Sequence, residues 1–335
     1  MAPSEATPPS APDLADACRQ ARAAGFDGEP FEEDGFLRLA ANLTGLESVC
    51  VAYSGGVDST FLLRVAVGLL EDKAIGVLGS SESLDRHEHA AAMEVAQKHD
   101  LPIRVIETHE YDNPAYRRND AQRCFHCKDE LFSEVRDFAR REGFAAVADG
   151  SNADDVGDFR PGLKARNRHG VRSPLLESGL CKDDIRRYSR ALGLPTWDKP
   201  AAPCLSSRIP YGLEVTAAKL RQIEAAEKVL RDAGFRTVRL RHHGDVARIE
   251  LPLEDLKPLL SSGRLEEITA AVKAVGFLFV TLDLEGFRSG SLNQALVLPV
   301  LGAAGGGAGS LGAEKEPPGA ARASEPAPTE PGRTE

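Results

Sequence analysis

A glycine pair set between an apolar run and an amphipathic one constrains this chain more than any other feature. Val49-Cys50-Val51-Ala52-Tyr53 reads as a strand and Ser54-Gly55-Gly56-Val57-Asp58-Ser59 as a tight turn; Phe61, Leu62, Val65, Ala66 and Leu69 then recur at helical spacing. Two consecutive glycines reach backbone conformations closed to other residues and let a ligand approach the main chain closely. The amides of such a turn, with the positive end of the next helix dipole, suit an anion and above all a phosphate. Ser54 and Ser59 can add hydroxyl donors. No Gly-Lys-Ser/Thr follows, so the turn is not a Walker A loop.

The alternation continues along the chain. Strands are expected at 49–53, 74–78, 103–107 and 145–148, and helices at 57–70, 84–99, 128–141 and 182–192, which predicts an α/β fold with a parallel sheet covered on both faces. Ligands of such sheets bind beyond the carboxyl ends of the strands. The glycine turn, 80–83 and 150–155 all follow strands at that edge. After about Trp197 the pattern changes. A helix at 216–233, strands at 237–243 and 246–251, two further helical stretches and a strand at 277–284 read as a smaller α+β domain. The proline-rich link 199–203 precedes it.

The expected organisation is a flexible leader over 1–30, an α/β domain over 31–200, an α+β domain over 201–300 and a disordered tail over 301–335. Both ends are rich in Pro and Ala, the tail also in Gly and Glu, and neither has periodicity. The 335 residues, 42% of them hydrophobic, are enough for two cores. A net charge of −10 argues against nucleic acid as a partner. No secretory signal or membrane span is legible, so the expected location is the cytoplasm.

The six cysteines do not read as a disulfide framework in a chain this long. Cys124 and Cys127 form a C-x-x-C, which suits a redox dithiol, half of a zinc site, or two ligands of an iron–sulfur cluster. Structural zinc needs four ligands, and only Cys204, in Pro203-Cys204-Leu205-Ser206-Ser207-Arg208, has comparably distinctive flanks. Three thiolates on a cubane cluster would leave one iron open to an external sulfide. The plain alternative is an inert Cys204 and an incidental C-x-x-C. His126 reads as a neighbour rather than a ligand, and Cys18, Cys50 and Cys181 receive no role.

Arg239 and Arg241 are two apart in an expected strand, so they share a face. Two adjacent guanidinium groups suit a phosphate monoester, the alternative being a solvated strand face. Arg248 and Glu250 share a face of the next strand. Asp154 and Asp155 follow a strand beside the glycine turn, where they either assist Mg²⁺ or the nucleotide or cap a helix. His242 and His243 read as structural.

The turn resembles the SGGxDS motif of the PP-loop ATP pyrophosphatases, which have an adenine nucleotide alpha hydrolase-like fold. That resemblance implies ATP cleaved between its α- and β-phosphates, AMP passed to an acceptor oxygen, and pyrophosphate released. By the match, Ser54, Gly55, Gly56 and Ser59 hold the pyrophosphate end and Asp58 helps with Mg²⁺. RCFHCK, GSNADD with DFRPG, PCLSSRIPYG, RLRHHGDVARIE and LDLEGFRSGSLN then occur in order. Together they resemble the LarE family, PP-loop sulfur transferases that help build the nickel-pincer cofactor of lactate racemase, over about residues 36–293.

The family resemblance implies that a carboxylate of pyridinium-3,5-biscarboxylic acid mononucleotide is adenylated and then converted to a thiocarboxylate. It assigns Arg208, Arg239 and Arg241 to the mononucleotide phosphate and places Glu227 and Glu250 along the substrate site. The family has two sulfur sources. In one, a cysteine matching Cys204 gives up its own sulfur and becomes dehydroalanine. In the other, three cysteines hold a 4Fe-4S cluster carrying an extra sulfide. Cys124, Cys127 and Cys204 together resemble the second type. The resemblance also suggests a homo-oligomer, and a sulfide donor is a possible partner. Other readings are another PP-loop enzyme (a tRNA thiolase or an amidotransferase-type synthetase, although no glutaminase segment is visible) and a non-enzymatic nucleotide-binding module.

Overall fold

The computed structural model of the chain describes residues 11–156 and 162–288. In chain order its elements are α1 (Ala11–Ala23), α2 (Asp34–Thr44), β1 (Val49–Ala52), α3 (Val57–Leu70), β2 (Ala74–Ser80), α4 (Arg86–Lys98), β3 (Ile103–Glu107), α5 (Pro114–Arg117), α6 (Arg123–Glu142) and β4 (Ala146–Ala148). There follow α7 (Gly162–His169), α8 (Pro174–Glu177), α9 (Lys182–Ala191), α10 (Ala217–Asp232), β5 (Arg239–His243), β6 (Val246–Glu250), α11 (Leu253–Ser261), α12 (Leu265–Ala274) and β7 (Phe279–Leu282).

The first four strands form one parallel sheet in the order β3-β2-β1-β4. Side chains alternate across a strand, so β1 feeds two cores. Val49 and Val51 join Phe36, Phe61, Leu62 and Val65 on one face, while Cys50 joins Val77, Phe132 and Val135 on the other. Burial on both faces explains the unbroken apolar run at 49–53. The same burial pushes the Cys50 thiol up to about 12. The later strands form a second sheet, β5-β6-β7, antiparallel between β5 and β6 and parallel between β6 and β7. Leu240, Ala247 and Ile249 of this sheet pack on Leu220, Ile223 and Leu230 of α10 in a third core.

Three expectations need correction. Residues 11–30 are not a flexible leader: Ala17, Ala21 and Phe26 are buried, and Phe26 packs on Phe31 and Phe36. The Pro- and Ala-rich composition hid three small or aromatic side chains spaced to meet the α2 face. The expected break at 200/201 does not part the described residues, which fall in one compact unit. Tyr116 of α5 belongs to the core of the second sheet, which ties the two lobes together. Finally, α6 begins at Arg123 rather than at 128, so the C-x-x-C lies within the helix's first five residues. The leader's residues 1–10, most of DFRPG, the end of the LDLEGFRSGSLN segment and the tail at 301–335 lie outside the described residues.

Candidate active site

The glycine turn is built as its sequence demands. Gly55 has φ +67°, and a Cβ there would lie 2.4 Å from the Ala92 Cβ of α4, so both conformation and space exclude other residues. Gly56 caps α3 in an extended conformation. Ser59 Oγ accepts from the Ser54 amide at 3.1 Å and lies 3.1 Å from Ser54 Oγ, which holds two hydroxyls side by side at the helix start. Ser54, Gly56, Asp58, Ser59, Lys128 and Asp155 line a cavity of about 270 Å³ at the carboxyl edge of the sheet. A larger cleft, about 410 Å³, opens between α4 and α10. None of the turn's residues lines it, though Leu205 beside Cys204 does.

The carboxylates around the turn are partnered. Lys182 Nζ donates to Asp58 at 2.5 Å, and Asn152 Nδ2 reaches the same carboxylate at 3.4 Å. Asp154 accepts from the Lys182 amide at 2.7 Å. Asp155 accepts from the Asn152 amide at 3.0 Å and completes a capping box. The capping alternative raised for Asp154 and Asp155 is therefore present, while Asp155 also borders the cavity. Sequence reasoning passed over Lys128, Lys182 and Lys199. Each is one lysine among many; Lys128 closes the RCFHCK segment and Lys199 opens the proline-rich link, an adjacency that was the available signal for those two, while Lys182 had none.

The thiols gather around a second construction. Cys124 and Cys127 sit three apart on α6, which puts them on one helix face. Cys204 precedes a short 3-10 turn, Leu205–Arg208. Long-range hydrogen bonds stitch that turn to α5 and α6. Tyr116 Oη and Ser206 Oγ are 2.5 Å apart, Arg123 donates to the Ser206 carbonyl at 2.8 Å, and Asn119 Nδ2 donates to the carbonyls of Ile209, Pro210 and Leu213. The Leu205 amide donates to the Ser83 carbonyl at 2.9 Å.

The three thiols share one electrostatic neighbourhood. Burial pushes Cys127 well above the usual thiol range, with Glu110 and then Cys204 adding to the rise. Burial works against the Arg123 cation, but Cys204 and Cys124 outweigh it and hold the guanidinium above its ordinary value. Arg123 Nη2 approaches Cys124 Sγ at 3.9 Å. Burial raises Tyr116 as well, and Cys204 and Cys127 raise it further. Among the described residues, no group of three or more His, Cys, Asp or Glu side chains is arranged to hold a metal ion. The donors are of the right kind for an iron–sulfur group and are neighbours, but they do not converge.

The arginines divide into two kinds. Arg208 is buried and makes a double hydrogen bond to fully buried Glu227, at 2.8 and 3.0 Å, and it also donates to the Cys204 carbonyl at 3.0 Å. Arg241 donates to Glu250 at 2.7 Å and to the Ser207 carbonyl at 3.0 Å. Arg239 has no carboxylate among the described residues; it donates to the Val238 and Ala201 carbonyls and lies over the Phe287 ring. Burial, then Arg208, lower it to about 10. The two glutamates expected along a substrate site are thus, in this structure, the internal counter-charges of two of the three arginines.

A family model for NAD synthase matches residues 32–136, the part that carries the turn and the first three strands. The chain is 39% identical to a pyridinium-3,5-bisthiocarboxylic acid mononucleotide synthase of Lactiplantibacillus plantarum, over 77% of this chain and 93% of that protein. It belongs to the LarE family. An uncharacterized protein of Synechocystis is 43% identical over 75% of this chain and 94% of its own length. One of Methanocaldococcus jannaschii is 28% identical over 72% and 92%. With LarE membership, the PP-loop reading of the turn and the parallel-sheet fold stand together. No helix among the described residues is long and apolar enough to cross a membrane.

Proposed function

We propose that this LarE protein is an ATP-dependent sulfur transferase. It adenylates a carboxylate of pyridinium-3,5-biscarboxylic acid mononucleotide, releases pyrophosphate, and replaces AMP by sulfur to give a thiocarboxylate. The observation that carries this reading is the stitching of the Cys204 turn to α5 and to the start of α6, the helix that bears Cys124 and Cys127, in the same compact unit as the glycine turn. A carboxylate is a poor electrophile; adenylation turns its oxygen into a leaving group, and a sulfur nucleophile attacks well near neutral pH.

In this reading the amides of the turn, with Ser54 and Ser59, receive the pyrophosphate end of ATP. Lys128 stands at the cavity wall as a further cation. Asp58, paired with Lys182 here, would hold Mg²⁺ beside the nucleotide, and Lys182 would then be available to phosphate oxygens. Arg239 receives the mononucleotide phosphate, because it alone of the three arginines is a buried cation without a carboxylate among the described residues. Arg241 and Arg208 shape that site from their glutamate pairs.

A 4Fe-4S cluster on Cys124, Cys127 and Cys204 would supply a labile sulfide as the nucleophile. Arg123, whose guanidinium lies 3.9 Å from Cys124 Sγ, would offset its negative charge. The proposal extends to a homo-oligomeric enzyme of the cytoplasm recharged by a sulfide donor. The second sulfur source is Cys204 itself, which would give up its own sulfur and become dehydroalanine.

The test is one turnover with ATP, Mg²⁺ and the mononucleotide, with protein and product weighed. Thiocarboxylate with unchanged protein mass supports the cluster route. Loss of H₂S from the protein, about 34 Da, supports sacrifice of Cys204. Pyrophosphate release that ignores the mononucleotide would refute both.

A further inference from the structure

Four contacts converge on one short stretch, the start of α4. The Leu205 amide donates to the Ser83 carbonyl at 2.9 Å, and Arg231 pairs with Asp85 at 3.1 Å. The Arg86 amide donates to Glu224 at 2.8 Å, and Lys199 pairs with Glu88 at 2.9 Å. Lys199 makes a second contact, and to the glycine turn: its ammonium donates to the carbonyl of Gly55 at 3.1 Å. That carbonyl belongs to the phosphate turn. Lys199 therefore touches both the turn and the helix against which Gly55 is packed without room for a Cβ.

Lys199 also stands five residues before Cys204, and Pro200-Ala201-Ala202-Pro203 fills the gap. Proline fixes φ and stiffens such a link. Its far end is held too. Arg239 donates to the Ala201 carbonyl, and Arg208 donates to the Pro203 and Cys204 carbonyls. The segment between phosphate turn and thiol is thus pinned at both ends, and the pin at the turn is a single, mostly buried ammonium.

We propose that Lys199 is a positioning residue that keeps the Cys204 loop in register with the phosphate turn, so that the acyl-adenylate meets sulfur before water. This rests on the sulfur-transferase reading and adds to it a residue that secures the yield of the second step. The competing reaction is hydrolysis. Water attacks the acyl carbon, the bond to the AMP oxygen breaks, and carboxylate and AMP return with ATP consumed and no sulfur transferred. Misplacement of reacting groups by about 1 Å can cost roughly a hundredfold in rate, which is ample for water to compete.

The experiment measures pyrophosphate and thiocarboxylate in the same turnover, using the full-length protein with ATP, Mg²⁺ and the mononucleotide. Lys199→Met is expected to release pyrophosphate within about twofold of the parent, while thiocarboxylate per pyrophosphate falls at least about tenfold. Regenerated carboxylate and AMP should account for the difference. Lys199→Arg, which keeps a cation with several donors, is expected to recover most of the ratio. An unchanged ratio in Lys199→Met would overturn the proposal. So would a parallel loss of pyrophosphate and thiocarboxylate in both variants, since Lys199 would then serve nucleotide binding or folding. A parent protein that makes pyrophosphate and never thiocarboxylate would instead defeat the sulfur-transferase reading, whatever Lys199 does.

Discussion

The phosphate turn and the thiol loop are opposite kinds of site. The turn occupies six consecutive residues, and its geometry comes from two glycines, a helix start and two serines that bond each other. The thiol loop has no such autonomy. Cys204 is 80 residues from Cys124, and what unites them is a set of buried polar contacts: Tyr116 with Ser206, Arg123 with Ser206, Asn119 with three carbonyls. A local site tolerates change around it but not within it. An assembled site is the reverse in part, because its supports are as consequential as the thiol they hold.

The sharpest way to break that comparison is to strike each site at its centre. Cys204→Ala should reduce thiocarboxylate formation by at least about a hundredfold while pyrophosphate release persists. Gly55→Ala should do the opposite and remove pyrophosphate release itself, since the new methyl group meets Ala92 and the residue must hold a positive φ at a cost of about 1–3 kcal/mol. Rapid-quench measurement of both products decides the matter. Equal loss of both steps in each variant would mean that the two sites are not separable.

The supports come next. Glu227 is fully buried, takes both arms of Arg208, and also accepts from the Leu240 amide at 3.0 Å. Glu227→Gln leaves a buried guanidinium without its counter-charge, a change that costs about 3–5 kcal/mol in comparable buried pairs. Urea unfolding should show that loss, with the turn's own nucleotide affinity little changed below the transition. A midpoint like the parent's would make Glu227 a ligand-facing group rather than a support.

Arg239 separates support from function in the other direction. Burial and Arg208 already depress it, so the fold gains little from its charge. Arg239→Met should leave unfolding unchanged or slightly harder. It should weaken mononucleotide binding by about 1.5–3 kcal/mol, the worth of a charge-assisted contact, which is roughly ten- to a hundredfold in KM. Loss of stability without a KM effect would assign the phosphate to Arg241 or Arg208 instead.

The same contrast explains what could be read from the sequence. The turn, the parallel sheet and the α3 start are local patterns, and they stand where the periodicity put them. The proximity of Cys204 to the C-x-x-C entered through family motifs, because no spacing rule links residues 80 apart. The pairing of Arg208 with Glu227 and of Arg241 with Glu250 was not legible at all. Alternation shows that two arginines share a strand face, but not that the facing helix and strand answer two of the three cations with acids. Helix α1 was missed for a related reason: its buried face is made of alanines, whose weak signal disappears in a Pro- and Ala-rich stretch.

The mildest probe falls on the seam between the two kinds of site. Tyr116 is buried in the core of the second sheet, and its hydroxyl meets Ser206, two residues beyond Cys204. Tyr116→Phe keeps the ring and its packing and removes one buried hydrogen bond, worth about 1 kcal/mol. Pyrophosphate release should be unaltered, because no part of the turn is touched. Thiocarboxylate formation should fall only a few-fold, since Arg123 still holds the Ser206 carbonyl and Asn119 the carbonyls beyond it. If Tyr116→Phe were instead as damaging as Cys204→Ala with the fold intact, the phenol would have to act on sulfur directly. Its position beside Cys204 and Cys127 makes that outcome measurable as a changed pH dependence of the transfer step.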